Sequence, residues 1–242
     1  ENNFDISYKL DFKQEDFSTA SSYKLETLRT GVGFGYDLDT NLKHNFGIDY
    51  IIKDYTVTDA STVATTIGNS SGENVSFLIS NSFNYSTLNS YFIPQNGRLI
   101  SLNNSIETPT SSSNGYIKNV LLIKNFKKIN KNIISIQSRI GNITSLSGND
   151  ILTDDKFSLG GRWLRGFDTY GAGPRNSRTS YIGGNNLFVS KLDYSRELLN
   201  NSDFPILLNI FNDYGIVWEN KTKPTNNDNK LRSSVGIVLK YY

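Results

Sequence analysis

Cysteine is absent, methionine is absent, and a single histidine, His44, stands among 242 residues. Without cysteine there is no disulfide and no thiolate metal site. With one imidazole, histidine-built metal centres are excluded as well. No metal and no cofactor is expected. An excess of one charge is also lacking: 25 Lys and Arg face 23 Asp and Glu, a net charge of +2. That balance, with no dense basic patch, gives no case for nucleic acid. No apolar run approaches the roughly 20 residues of a membrane-crossing helix. Mean hydropathy is −0.41. That value would suit a soluble protein, but it suits a membrane β-barrel equally, because there only every second residue is apolar.

What is present is a period of two. In "NFDISYKLDFK", Phe4, Ile6, Tyr8, Leu10 and Phe12 share one face, with Asp5, Ser7, Lys9, Asp11 and Lys13 on the other. A strand sends alternate side chains to opposite faces, so this is a ribbon with one oily side. "KHNFGIDYIIK" and "NVSFLISNSFNYS" repeat the pattern. Further alternating runs cover 21–38, 97–107, 116–128, 132–142, 181–198, 204–218 and 230–242. About ten strands result, near or above the roughly 9–11 residues that cross a bilayer at a tilt. The connections alternate in length. "DLDTNLK", "PQNG", "INKN" and "NNSD" are tight turns, while 13–20, 58–73, 108–115, 143–180 and 219–229 are longer. Short turns on one side and long loops on the other is the outer-membrane barrel pattern, with turns periplasmic and loops outside. The expected fold is all-β: one domain over 1–242, a transmembrane antiparallel up-and-down barrel.

Candidates for chemistry fail one by one. "GVGFG" (Gly31, Gly33, Gly35) mimics part of a dinucleotide fingerprint but lies mid-strand with no helix after it. Its glycines form a stripe on the inward face, which fits either strand bending or room for something folded inside. His44 shares a face with Phe46 and Ile48, toward lipid, which is the wrong side for a lumenal base. "GNSSGEN" lacks the lysine of a phosphate loop. No catalytic residue and no enzymatic activity is expected.

The longest connection, 143–180, contains "SLGGRWLRGFDTYGAGPR". A loop this long inside a compact domain is functional or disordered. Trp163, Leu164 and Phe167 are costly to expose, which favours a loop folded inward. "LGGRWLRGFDTYGAGPR", "YIGGNNLFVSKLDYSREL" and "FNDYGIVW" together resemble the later barrel strands of the BamA family of outer-membrane assembly factors. Leu164, Arg165, Gly166 and Phe167 match that family's Val/Leu-Arg-Gly-Phe motif. Gly160, Gly161, Gly173, Pro174 and Arg175 match its flanks. "YFIPQNGRLISL" resembles its Phe-Pro-x-x-Gly turn. TamA and the two-partner secretion transporters share the arginine motif.

The resemblance implies a bacterial outer-membrane protein that folds and inserts other β-barrels, with a surface loop folded into the lumen. Its implied partners are unfolded barrel clients, outer-membrane lipid and the lipoproteins of the assembly machinery. It also implies that the loop arginine pairs with carboxylates on the lumen wall. Asp193 and Asp213 stand opposite the apolar residues of their strands, so both are available to Arg165. Against the family pattern the chain reads as part of a larger barrel, without the POTRA domains and the strands at the seam. The alternative functions are a passive outer-membrane channel and a two-partner secretion transporter.

Overall fold

The computed structural model describes residues 4–110, 114–176, 180–199, 206–220 and 229–241. Ten strands form one antiparallel sheet in plain chain order. They are β1 (Phe4–Asp16), β2 (Tyr23–Asp39), β3 (Leu42–Val57), β4 (Gly72–Ser86), β5 (Gly97–Glu107), β6 (Tyr116–Ile129), β7 (Asn132–Ser145), β8 (Asn186–Leu199), β9 (Ile206–Trp218) and β10 (Arg232–Tyr241). Each pairs with its sequence neighbours, and no pairing joins β1 to β10 among the described residues, so the sheet is an open wall. Two helices of one turn, α1 (Ser18–Ser21) and α2 (Thr65–Asn69), sit in the connections at one end.

The two faces follow the alternation in the sequence. On the outer face Ile48, Phe77, Ile136, Ile140, Leu192 and Ile210 are all exposed. On the inner face Leu187, Val189 and Val217 are wholly buried. A band of aliphatic and aromatic side chains across ten strands far exceeds the apolar patches that soluble proteins leave in water. Its solvent is lipid, and the wall is membrane-spanning.

The outer face nevertheless carries a polar row. Asn81, Asn104, Asn119, Asn142 and Asn186 are cross-strand partners in succession, from β4 to β8. Asn81 Nδ2 donates to Asn104 Oδ1 at 3.4 Å, and Asn104 Nδ2 to Asn119 Oδ1 at 2.5 Å. Asn142 Nδ2 donates to Asn186 Oδ1 at 2.8 Å, and Asn186 Nδ2 to Asn220 Oδ1 at 2.9 Å. His44 closes the other end, 2.5 Å from Asn81 Oδ1 and stacked on Phe83. Each amide thus meets a polar neighbour where lipid offers none.

Several boundaries differ from the sequence reading. β7 runs on to Ser145 and β8 begins at Asn186, so the long loop is 146–185 rather than 143–180. The connection holding "PQNG" spans 87–96, because Gln95 and Asn96 are tied down by Lys128 of β6, at 2.9 and 3.0 Å. β1 continues to Asp16, shortening the connection expected over 13–20. The "NNSD" turn lies wholly outside the described residues, as does most of 219–229. The glycine stripe on β2 makes room for its neighbours on the sheet. A Cβ at Gly31 would stand 2.2 Å from Asp49 Oδ1, and one at Gly33 would stand 2.6 Å from Ser7 Oγ. Asp49 in turn holds Arg29 of β2.

Candidate functional site

The interior of the fold is built by the long loop. Its Ile151, Phe157, Leu159, Leu164 and Ala172 form one buried cluster with wall residues Ile51, Leu78, Tyr116, Leu187, Val189 and Val217. Trp163 and Phe167 pack against that cluster. The wall is shaped to receive the loop, and glycine makes the recesses. A Cβ at Gly141 would meet the Phe157 ring at 2.5 Å, and one at Gly215 would meet Leu159 Cδ1 at 2.8 Å.

The motif itself is a tight double turn. Gly160, Gly161 and Gly166 have φ of 128°, 54° and 84°, in the region that favours glycine. A Cβ on Gly160 would also fall 2.0 Å from the Asp168 carbonyl oxygen. Residues Gly161–Trp163 make one 3-10 turn, and Gly161 N donates to Phe167 O at 2.9 Å. This fold back on itself buries Leu164 completely and turns Arg165 toward the wall. Downstream, Gly173 and Pro174 are buried, and Pro174 O accepts from Ile182 N at 3.1 Å. Arg175 Nη2 donates to Tyr170 O at 2.8 Å, stapling the loop to itself.

Arg165 meets both expected carboxylates. Its Nε and Nη2 donate to Asp213 Oδ2 and Oδ1 at 2.8 and 2.6 Å. Nη1 and Nη2 donate to Asp193 Oδ1 and Oδ2 at 2.8 and 3.3 Å. The backbone N of Arg165 adds a bond to Asp213 Oδ2 at 3.1 Å. The guanidinium lies over the Phe211 ring, 3.8 Å from its centroid. Asp193 and Asp213 stand on neighbouring strands, β8 and β9, and Asp213 is fully buried. The two carboxylates hold the Arg165 guanidinium well above its ordinary pKa, against the cost of burial.

A second set of contacts was not anticipated from the sequence. Lys53 on β3 reaches Asp154 Oδ2 at 2.8 Å and Asp155 Oδ1 at 2.7 Å. Tyr55 donates to Asp154 Oδ1 at 2.9 Å, and Lys118 of β6 donates to the Asp155 carbonyl at 2.5 Å. Burial, with the Asp154 carboxylate beside it, pushes the Asp155 carboxyl up to about 7. Lys156 pairs with Glu219 beyond β9 at 2.9 Å. Further along, Tyr181 N donates to Ala20 O at 2.7 Å, and Asn176 Nδ2 to Thr62 O at 2.6 Å. One signal for the Lys53 contact existed. Lys53 is a cation on the inner face of its strand, and the loop carries two adjacent acids.

The loop therefore ties β3 and β6 to β8 and β9 across the inner face. Fold and site together define an outer-membrane β-barrel wall with a long loop packed on its inner face. The chain matches the Omp85 superfamily domain over residues 1–242 and belongs to that superfamily. It is thus a bacterial outer-membrane protein. The crystal structure of BamA from Haemophilus ducreyi lacking POTRA domains 1-3 superposes with a TM-score of 0.78 at 20% identity. The match covers 98% of this chain and 52% of that one, so the chain spans about half the length of the BamA it resembles. No curated protein sequence matches the chain.

Proposed function

We propose that this chain is the braced wall of an assembly factor that folds and inserts β-barrel proteins into the outer membrane. On this reading the loop 146–185 enters from the outside and is a lumenal plug. Unfolded barrel clients, membrane lipid and accessory lipoproteins are the partners, and no residue performs covalent chemistry.

The two-ended lock carries the proposal. Arg165 bridges Asp193 and Asp213, and Lys53 bridges Asp154 and Asp155 on the opposite part of the sheet. A brace of this kind holds the strands on which it sits in fixed relation. Strands beyond them can then open without the wall collapsing. A passive conduit needs a clear interior, whereas Phe157, Leu159 and Leu164 of the loop are buried against the inner face of this wall. The arginine motif and superfamily membership point the same way.

The test uses the full-length protein, reconstituted in vesicles with its accessory lipoproteins and given an unfolded barrel client. Folded client is followed over time, and ion conductance is recorded in parallel. Arg165→Ala and Asp213→Asn are expected to slow client folding several-fold while the protein's own barrel stays folded. Unchanged client folding combined with raised conductance would favour the passive channel.

A further inference from the structure

Near the short-turn end, the outer face holds a basic recess that the lock does not use. Arg98 on β5 lies opposite Asn125 on β6, and Lys127, two residues further along β6, lies opposite Ile134 on β7. Both cations are exposed, and both occupy outer-face positions, in alternation with Ile100 and Ile123. Tyr85, Ile134 and Ile136 line the same recess, and no carboxylate does. The recess encloses about 530 Å³. The outer-face carboxylates Glu26, Asp54 and Glu73 form a cross-strand row at the opposite, long-loop end of β2, β3 and β4. These carboxylates lie at the other height of the face, with cations alone around the recess.

Arg98 is held in place. Its Nε donates to Asn125 Oδ1 at 2.7 Å. Its backbone is clamped to Thr87, with Arg98 N donating to Thr87 Oγ1 at 3.0 Å and Thr87 N to Arg98 O at 2.8 Å. The bond at Nε leaves the two terminal nitrogens for an outside acceptor. A guanidinium fork matches two oxygens of a phosphate, and an ammonium beside it adds a point charge. At the margin of a hydrocarbon layer such a pair is stronger than in water. Beside the cations, on β7, Ile134 and Ile136 offer an apolar wall.

An anionic head joined to an apolar body describes one kind of ligand for adjoining cationic and apolar walls. We propose that the recess binds a glycerophospholipid of the leaflet at the short-turn end. Arg98 and Lys127 grip its phosphate, and an acyl chain lies along Ile134 and Ile136. This inference rests on the transmembrane fold and is independent of the assembly role.

The experiment is native mass spectrometry of the full-length protein released from detergent. It is titrated with a short-chain phosphatidylglycerol, with the diacylglycerol carrying the same chains, and with inorganic phosphate. The unmutated protein is expected to retain phosphatidylglycerol and not the diacylglycerol. Arg98→Gln with Lys127→Gln should weaken retention at least tenfold. Lys24→Gln, which removes an outer-face cation at the long-loop end, should leave it unchanged. If the double variant does not fold, Lys127→Gln alone at its exposed position should still lower affinity threefold or more. Equal retention of diacylglycerol would reduce the recess to a greasy surface. Displacement by inorganic phosphate at the same concentration would make it a soluble-anion site. Undiminished affinity in the variants would also overturn the proposal.

Discussion

Arg165 commits its Nε and both terminal nitrogens to two carboxylates, and its flat face to Phe211. Removing it strands Asp213, which is fully buried, without a counter-charge. Breaking a buried pair in this way costs roughly 3–5 kcal/mol. Arg165→Ala should therefore release the loop, seen as new protease cleavage between 146 and 185 in the intact protein. Asp193→Asn should do less than Asp213→Asn. Asp193 keeps some exposure and, of Arg165, accepts from the terminal nitrogens alone, whereas Asp213 also takes the Nε and the backbone N. Equal protection of the loop in all three variants would contradict this ranking.

Asp155 gives the other end of the loop a pH dependence. Its carboxyl titrates near 7 when docked, against about 4 when free in water. The docked state therefore holds a proton that the released state gives up. Docking at this end is firmest below about pH 4, weakens as the pH rises from there to about 7, and levels off above. Cleavage within 146–160 should accordingly rise between pH 5 and pH 8, by up to roughly 80-fold where it tracks docking alone. Asp155→Asn, which cannot ionise, should flatten the profile. A profile unchanged by that substitution would remove Asp155 as its source.

Among the elements, the asparagine row shows how a lipid-facing wall tolerates polarity. Interhelical side-chain hydrogen bonds in membranes couple by only about 0.6 kcal/mol on average, and a similar size is expected here. Asn104→Leu leaves Asn81 Nδ2 and Asn119 Oδ1 without that partner. A double-mutant cycle of Asn104→Leu and Asn119→Leu, read by urea unfolding in vesicles, should give a positive coupling of about that size. Zero coupling would mean that the amides are satisfied by water or lipid head groups instead. The strands were legible in the sequence, because a half-lipid, half-interior wall forces an alternation such as "NFDISYKLDFK". The row was not. An asparagine on the oily face looks like noise until the register sets Asn81, Asn104, Asn119, Asn142 and Asn186 side by side.

The loop divides in the same way. Arg165, Asp193 and Asp213 could be named because their strand faces and the motif both constrain them. Lys53 and Asp155 are 102 residues apart, and an inward cation and a pair of loop acids do not by themselves specify that they meet. Both bounds of the loop lie later in the chain than expected: β7 keeps pairing with β6 as far as Ser145, and β8 pairs only from Asn186. The sequence leaves the β2 glycines open between strand bending and room for something folded inside. The recesses that admit the loop are Gly141 and Gly215, where a Cβ would strike Phe157 and Leu159, and not the stripe on β2.

For the whole molecule, the claim is that one loop couples distant parts of a single open sheet. β3 and β9 share no direct pairing, since five strands separate them. Their relation is set through the Lys53 contacts at one end of the loop and the Arg165 contacts at the other. The direct measurement is a distance distribution between spin labels on Ile48→Cys in β3 and Ile210→Cys in β9 of the full-length protein. Both positions are exposed on the outer face, and no cysteine among these 242 residues competes for label. The unmutated lock should give one narrow distance, and Arg165→Ala or Lys53→Ala should each broaden it. A distribution equally narrow in both variants, with the loop shown by proteolysis to be released, would contradict the brace.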